Sequence, residues 1–144
     1  MNTYVDKRTH LCYTIDNMTK KSLIFYLINI IIPLCLGCAI YICTREQTYI
    51  NQFFHLSLHI RKNIFTYILS FYIADFMWAY SLFFTLKTLW STSTSAILAI
   101  GFGTIWEILQ LSLIKGTFDF LDILTYIIAI IIAIIILNFW RKKQ

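Results

Sequence analysis

Two polar side chains lie at helical spacing inside an otherwise apolar stretch: Glu107 and Gln110, at positions i and i+3. Asp75 lies near the middle of another apolar run, and Asp119 and Asp122 follow a short polar break. A charge at the centre of a bilayer costs roughly 2.5–3.5 kcal/mol, so such residues are functional candidates when their surroundings are apolar. These five residues are therefore the first candidates for chemistry.

Asp75 and Glu107 are suited to three kinds of chemistry. Two neighbouring carboxyls can work as an acid/base pair, in which one holds a proton because the other is charged. They can also bind a cation together with Gln110, or relay protons. The structural alternative is that one of them pairs with Arg45 or with a backbone group and fixes the register of the helices.

The composition indicates that a membrane surrounds these residues. Of the 144 residues, 59% are hydrophobic and 13% are charged, against about 45–50% and about 25% in soluble proteins. The formal net charge is +5, but the basic residues lie at the ends of apolar runs, where they anchor spans against anionic head groups. No basic face is large enough to follow a nucleic acid. Membrane lipids are the expected partners, and the sequence is also compatible with a homo-oligomer.

The apolar runs predict an all-α membrane protein with four transmembrane helices and one interfacial amphipathic helix. A polar tail, residues 1–21, precedes one membrane domain, residues 22–144. Met18-Thr19-Lys20-Lys21 resembles a translation start, so residues 1–17 are a candidate start-site artefact. The interfacial helix is expected within residues 44–63, and residues 91–95 are expected to form a loop. The spans are predicted at residues 22–43, 64–86, 96–114 and 121–140.

The basic residues predict the orientation of these spans. With four spans, eight Lys and Arg residues lie on the side that holds both termini, and four lie on the other side. Cytoplasmic segments carry the excess of basic residues, so both termini are expected in the cytoplasm.

Depth and helix faces predict where the acids meet. Asp75 and Glu107 are almost equally far from the turn near residues 90–91, so an antiparallel hairpin brings them to nearly the same depth. Small residues share their faces with polar ones on two spans, which allows close approach and points the polar groups into a bundle. These faces are Ala99, Gly103, Glu107 and Gln110 on the third span, and Asp122, Tyr126, Ala129 and Ala133 on the fourth. On the second span, Asp75, Trp78, Ala79 and Leu82 share a face.

Other patterns in the sequence have simpler interpretations. Cys35 and Cys38 form a C-x-x-C inside an apolar run, where thiols behave as small hydrophobic groups. His55 and His59 are at i,i+4 spacing, but no third zinc ligand is evident. Neither pattern predicts a metal site, and the sequence leaves the cofactor unknown. Asp119 and Asp122 fit a helix cap as well as they fit a site.

The polar residues form three motifs along the chain: Gly37…Ile40-Tyr41…Arg45, Asp75-Phe76-Met77-Trp78-Ala79-Tyr80-Ser81-Leu82, and Trp106-Glu107-x-x-Gln110…Gly116-Thr117-Phe118-Asp119-x-x-Asp122. These motifs resemble those of the VanZ-like family of small bacterial membrane proteins. The resemblance covers about residues 20–140. It implies a fold of four or five membrane helices and a set of signature positions: Arg45, Asp75, Trp78, Glu107, Gln110, Asp119 and Asp122.

Three functions are compatible with these observations. The first is a VanZ-like protein of the bacterial inner membrane whose outward-facing acidic pocket engages a lipid-linked or cell-wall head group. In it, Asp75 and Glu107 are the candidate catalytic or cation-holding residues. The second is a small ion- or proton-coupled transporter, and the third is a non-catalytic assembly partner. Whether the chain is an enzyme stays open. The ligand-binding candidates are Arg45 as the anion contact, Gln110 as the orienting amide, Trp78, Thr117, Asp119 and Asp122.

Overall fold

The described part of the chain is helical. The computed structural model describes residues 20–44, 63–64, 68, 72–112 and 120–143, with the backbone alone at 44 and at 110–112. Within these residues there is no β-strand. The four helices are α1 (Lys20–Thr44), α2 (Ala74–Lys87), α3 (Thr92–Ser112) and α4 (Phe120–Lys142).

Three of the described helices, α1, α3 and α4, are long and apolar enough to cross a membrane. Their apolar segments contain 24, 18 and 23 residues, and about 20 are needed to span a bilayer. Large apolar side chains on their outer surfaces are exposed, among them Leu27, Phe102 and Ile135, which suits contact with lipid chains. The chain is therefore a multi-pass membrane protein, as the composition predicts.

The central helix is α2, which packs against each of the other three. Phe83 and Phe84 are completely buried, and Ala79 and Leu86 are nearly so. Because neighbours surround it, α2 has no continuous polar face. Trp78 is the exception to the expected inward face, since its side chain is 48% exposed.

Two hydrogen bonds tie α1 to α2. The Tyr80 hydroxyl donates to Oδ1 of Asn29 at 2.5 Å, and the Ser81 hydroxyl donates to the carbonyl oxygen of Ile30 at 2.8 Å. Hydrogen bonds between membrane helices contribute about 0.6 kcal/mol on average. Their larger effect is on register, because a shift of α1 would leave polar groups unpaired in an apolar interface.

The turn between α2 and α3 is shorter than expected. Residues 91–95 are predicted as a loop, but α3 begins at Thr92. Ser91 acts as its N-cap: its side-chain oxygen accepts a hydrogen bond from the backbone N–H of Thr94 at 3.2 Å. The hydroxyl of Ser95 bonds back to the carbonyl oxygen of Ser91 at 2.8 Å. The loop prediction is wrong because serine favours a helix start as strongly as it favours a turn.

The inward faces predicted for the third and fourth spans are confirmed at their described alanines, and the Gln110 side chain lies outside the described part. Ala99 is 1% exposed, and Ala129 and Ala133 are completely buried. Small side chains let the backbones of α3 and α4 approach closely, which is how membrane helices gain packing energy without a hydrophobic driving force.

One end of the bundle collects the positive charge. The rings of Phe25 on α1 and Trp140 on α4 stack with centroids 4.4 Å apart. Arg141 hydrogen-bonds Tyr26 of α1 and lies within electrostatic range of Lys87 at the end of α2. All six basic residues in the described ranges belong to the helix ends that meet here, and we call them the basic end: Lys20, Lys21, Lys87, Arg141, Lys142 and Lys143.

Several predictions lie outside the described residues. They are the polar tail before Lys20, almost all of the interfacial helix at 44–63, and His55 and His59. The described positions before α2 have helical backbone at Ile64 and Ile68, and Tyr72 and Ile73 form a π-helical turn that leads directly into the helix.

Candidate functional site

Glu107 is the most deeply buried charged residue among those that the structure describes. It lies on α3, and its side chain is only 1% exposed. The hydroxyl of Tyr126, on α4, donates a hydrogen bond to Oε1 of Glu107 at 3.0 Å. Among the described residues, Oε2 of Glu107 is buried and has no hydrogen-bond partner. A buried carboxyl oxygen without a partner is costly, so this atom marks a candidate site.

Gly103 makes the contact between Glu107 and Tyr126 possible. A Cβ atom at position 103 would lie 2.5 Å from Cδ2 and 2.7 Å from Cε2 of Tyr126. The ring therefore lies directly against the backbone of α3, one helical turn before Glu107. Only glycine leaves room for the ring at this distance, and the ring's position brings its hydroxyl to the carboxylate.

Two further carboxyls lie near the same hydroxyl. Asp75, in the first turn of α2, and Asp122, in the first turn of α4, are both partly buried. Together with Glu107, both lie close enough to Tyr126 to act on its hydroxyl electrostatically. The structure thus brings together acids from three helices. We call Asp75, Glu107, Asp122 and Tyr126 the acidic cluster.

The position of Asp122 is compatible with both of its interpretations. It stands in the first turn of α4, where a carboxylate interacts favourably with the positive end of the helix dipole. It is also one of the carboxyls around Tyr126. A cap and a site are therefore not alternatives for this residue.

Trp78 contacts α1 and is not part of the acidic cluster's hydrogen bonding. A Cβ atom at Gly37 would lie 3.2 Å from Cδ1 of the Trp78 ring and 3.2 Å from Cβ of Met77. The indole therefore lies over the one position of α1 where a side chain is missing. Gly37, from the first motif of the VanZ-like resemblance, and Trp78, one of its signature positions, are thus in contact.

The remaining candidates are not placed. Arg45, Thr117 and Asp119 lie outside the described residues. The backbone of Gln110 belongs to α3, but its side chain is outside the described part. Cys35, Cys38 and Cys43 are free thiols, and Cys35 is exposed on the outer surface of α1.

The acidic cluster offers oxygen atoms that accept hydrogen bonds. Among the residues that the structure describes, no three His, Cys, Asp or Glu side chains are close enough together to hold one metal ion. The described Lys and Arg residues all lie at the basic end, about 20 Å away along α4 at 1.5 Å per residue. Carboxyl oxygens bind donors, such as a hydroxyl, an ammonium group or a proton.

Sequence reasoning missed the part that Tyr126 plays. It placed Tyr126 on the inward face of the fourth span but did not include it among the site residues. The signal was present in Gly103, four residues before Glu107 on the same face, since a missing side chain beside a buried acid leaves room for a ring from the facing helix. Which aromatic residue fills that room depends on the register of α4 against α3.

Comparison with known proteins identifies no relative. No family model matches the chain, and neither a curated protein nor a solved structure shows significant similarity to it. The resemblance to VanZ-like proteins therefore stays a prediction from the motifs.

Proposed function

We propose that the chain is a VanZ-like protein of the bacterial cell envelope whose acidic cluster binds the head group of a lipid-linked or cell-wall molecule. The observation that carries the proposal is Oε2 of Glu107, an acceptor atom buried in an apolar bundle without a partner in the described part. A carboxyl in such a position lowers stability unless something binds to it. A ligand that donates a hydrogen bond would offset that loss.

The chemistry of the cluster narrows the class of head group. Three carboxyls repel a phosphate or a carboxylate that approaches without a cation, so the group that enters the cluster carries hydroxyls or an ammonium. Sugars and amino groups of cell-wall precursors have such donors. Arg45 is the candidate contact for the anionic part of the same molecule, at the end of the span that contains Gly37.

The proposed topology places the cluster toward the outer side of the inner membrane. We infer a fourth span at residues 64–86, supported by the helical backbone at Ile64, Ile68 and Tyr72, and an interfacial helix at 44–63. Both termini then face the cytoplasm, because all described basic residues lie at the end of the bundle where α1 begins and α4 ends. Tyr126 follows the start of α4 by six residues, so the cluster lies about 9 Å inside the outer end of that helix.

A proton-coupled carrier is the second candidate, and one observation favours it. The Tyr126 hydroxyl bonds to Glu107 and lies within electrostatic range of Asp75 and Asp122. Chains of carboxyls and hydroxyls inside a membrane are typical of proton relays. In this mechanism Glu107 takes a proton from one side, and the hydroxyl passes it on toward an aspartate.

The deciding experiment is native mass spectrometry of detergent-purified wild type, Glu107→Gln and Asp75→Asn, with a melting temperature for each. Asp16→Asn serves as a control because it removes a carboxyl from the polar tail. We expect wild type and the control to retain a lipid-linked molecule that both cluster variants lose at unchanged melting temperatures. The mass of that molecule identifies the substrate class.

Two other results would contradict the proposal. If both cluster variants melt much earlier and wild type carries nothing, the acids are structural. If nothing is retained but proteoliposomes of wild type show pH-driven flux that Glu107→Gln abolishes, the carrier is the correct function.

A further inference from the structure

Trp78 is exposed in an otherwise buried stretch of the central helix. From Ala74 to Phe84, it is the one residue of α2 whose side chain is exposed, at 48%. The five-membered edge of its indole lies against α1, because a Cβ atom at Gly37 would be 3.2 Å from Cδ1 and 3.3 Å from Nε1. The six-membered ring, on the opposite side of the indole, is therefore directed away from this contact.

The depth of Trp78 differs from that of an anchoring tryptophan. Anchoring tryptophans lie at the membrane interfaces, as Trp90 does in the turn at the basic end, where its carbonyl oxygen accepts a hydrogen bond from Lys87. Trp78 lies nine residues before Lys87 on α2, which is about 14 Å along the helix axis at 1.5 Å per residue. The hydrocarbon core is about 30 Å thick. Anchoring at an interface therefore does not account for an exposed indole at this depth.

Asp75 connects Trp78 to the acidic cluster. It lies three residues before Trp78 on α2, and side chains at this spacing start about 5–6 Å apart on one helix face. Asp75 and Glu107 both lie within electrostatic range of the Tyr126 hydroxyl. Oε2 of Glu107 is buried without a hydrogen-bond partner among the described residues. An exposed aromatic ring and carboxyl oxygens are thus combined at one edge of the cluster.

Both kinds of group attract the same ligand chemistry. The face of an aromatic ring carries negative partial charge, and tryptophan binds cations more strongly than tyrosine or phenylalanine does. Carboxyl oxygens accept hydrogen bonds from an ammonium group, and their attraction for its charge is stronger in an apolar bundle than in water. A hydroxyl group would gain energy at the carboxyls, but it lacks the charge that the ring face attracts. The combination therefore favours an ammonium group over a sugar.

We propose that the head group bound by the acidic cluster is an alkylammonium, held between the exposed indole of Trp78 and the carboxyls of Asp75 and Glu107. This inference rests on the proposed function, and it narrows the class of head group from hydroxyl or ammonium donors to ammonium alone. Trp78 is then a residue that determines specificity, and Gly37 fixes the orientation of its ring. The ammonium can belong to a lipid head group or to a free amine, and the experiment separates the two.

The first test compares head groups by native mass spectrometry of the full chain. The protein is titrated with dioleoyl phosphatidylethanolamine, with monoglucosyl dioleoylglycerol or with ethanolamine. The two lipids have the same acyl chains and no net charge, but only the first carries an ammonium. Wild type is expected to retain phosphatidylethanolamine in preference to the glucosyl lipid. Retention of ethanolamine as well would assign the site to the amine itself, whereas retention of the lipid alone would assign it to a lipid head group.

The second test removes the aromatic ring and leaves the carboxyls in place. Trp78→Leu is expected to weaken binding of phosphatidylethanolamine on the order of tenfold, and Trp78→Phe, which keeps a ring face, is expected to weaken it less. Trp90→Leu removes an indole that is similarly exposed, at 45%, but lies at the basic end, and it is expected to bind as wild type does. A melting temperature for each variant shows whether the bundle is intact.

The outcomes distinguish failure of this inference from failure of the proposed function. Preferential retention of the glucosyl lipid that Glu107→Gln abolishes would leave the proposed function standing and overturn the ammonium. Equal binding by Trp78→Leu and wild type, or equal losses in Trp78→Leu and Trp90→Leu, would overturn the assignment of Trp78. If wild type retained none of the three probes, or if Glu107→Gln retained phosphatidylethanolamine unchanged, both proposals would be wrong.

Discussion

Basic and acidic side chains differ in burial between the two halves of the bundle. At the basic end, five of the six described Lys and Arg side chains are exposed, and the sixth, Lys87, is partly buried. In the acidic cluster none of the three described carboxyls is exposed, and Glu107 is 99% buried, with a 1% exposed side chain. Most of the cations are thus exposed at the helix ends, whereas the acids are partly or fully buried between helices.

This difference in burial distinguishes side chains that anchor helix ends from side chains that are candidates for function. A lysine at a helix end reaches water and phosphate with its long side chain, so it lowers stability little. A carboxyl on an inward face of the bundle cannot do so, and it must be neutralised, paired or bound by a ligand. The acidic cluster is therefore the candidate site, because stability alone does not account for it, whereas the ordinary anchoring of helix ends accounts for the exposed side chains of the basic end.

The largest predicted effect tests whether the acidic cluster keeps its geometry when packing between α1 and α2 is weakened. Phe84 is completely buried and makes edge contacts with Phe25 and Tyr26 of α1. We expect Phe84→Ala to lower the free energy of unfolding by about 3 kcal/mol, since it leaves a cavity, yet to keep the hydrogen bond between Tyr126 and Glu107. Reversible unfolding in mixed detergent measures the first quantity.

A matched change on the outer surface controls for the loss of apolar area. Phe139 is 63% exposed, and we expect Phe139→Ala to have little effect. If Phe84→Ala also abolished ligand retention by the acidic cluster, the two halves would be coupled, and the separation drawn above would be wrong.

The second effect concerns the acidic cluster alone. Gly103→Ala places a Cβ atom 2.5 Å from the Tyr126 ring, so the ring must move away from α3. We expect a loss of about 2 kcal/mol, within the range for overpacking, together with loss of the bond to Glu107. The chain contains its own control, because a Cβ atom at Gly101 meets nothing within 4 Å. Gly101→Ala is expected to be neutral or to stabilise α3 by up to about 1 kcal/mol.

The third effect compares two tyrosines in the same bundle. Tyr126→Phe removes the hydroxyl that donates to Oε1 of Glu107 and is expected to lower the free energy of unfolding by about 1 kcal/mol. Tyr80→Phe removes the bond to Asn29 between α1 and α2, with an expected loss of about 0.6 kcal/mol. The informative difference is in ligand retention, measured by native mass spectrometry. Tyr126→Phe should change it and Tyr80→Phe should not, and an equal response would reduce Tyr126 to a structural residue.

The sequence was sufficient to predict what depends on composition and period. Long apolar runs predict spans because the bilayer fixes their length, and α1, α3 and α4 follow. Asp75 and Glu107 both lie within electrostatic range of Tyr126, which agrees with counting both from one turn, since helix rise is constant. The inward faces of Ala99 and Ala129 were predictable because helical period is constant as well.

Three features depended on tertiary contacts that the sequence does not encode locally. Ser91 caps α3 rather than forming a loop, since serine suits both and the preceding turn decides. Trp78 is half exposed because α1 offers only the small surface at Gly37 to cover it. Tyr126 reaches Glu107 because of the register between α3 and α4, and periodicity along one helix gives no information about register between two. The contacts between helices were thus harder to predict than the positions of residues along one helix.

The smallest predicted effect is at the basic end and has a definite sign. Burial first, and the charge of Arg141 second, lower the pKa of Lys87 below its ordinary value of 10.5. Between the folded pKa and the unfolded value of 10.5, the unfolded chain binds the extra proton, so the free energy of unfolding rises with pH in that window. Lys87→Met is expected to lack this rise, which solvent screening keeps below about 1 kcal/mol. The measurement is the free energy of unfolding of wild type and of Lys87→Met from neutral pH to 10.5. The difference between the two curves reports on Lys87, because all other groups titrate in both proteins. An identical pH profile would contradict the prediction, because it would mean that neither burial nor Arg141 lowers the pKa of Lys87 in the folded protein.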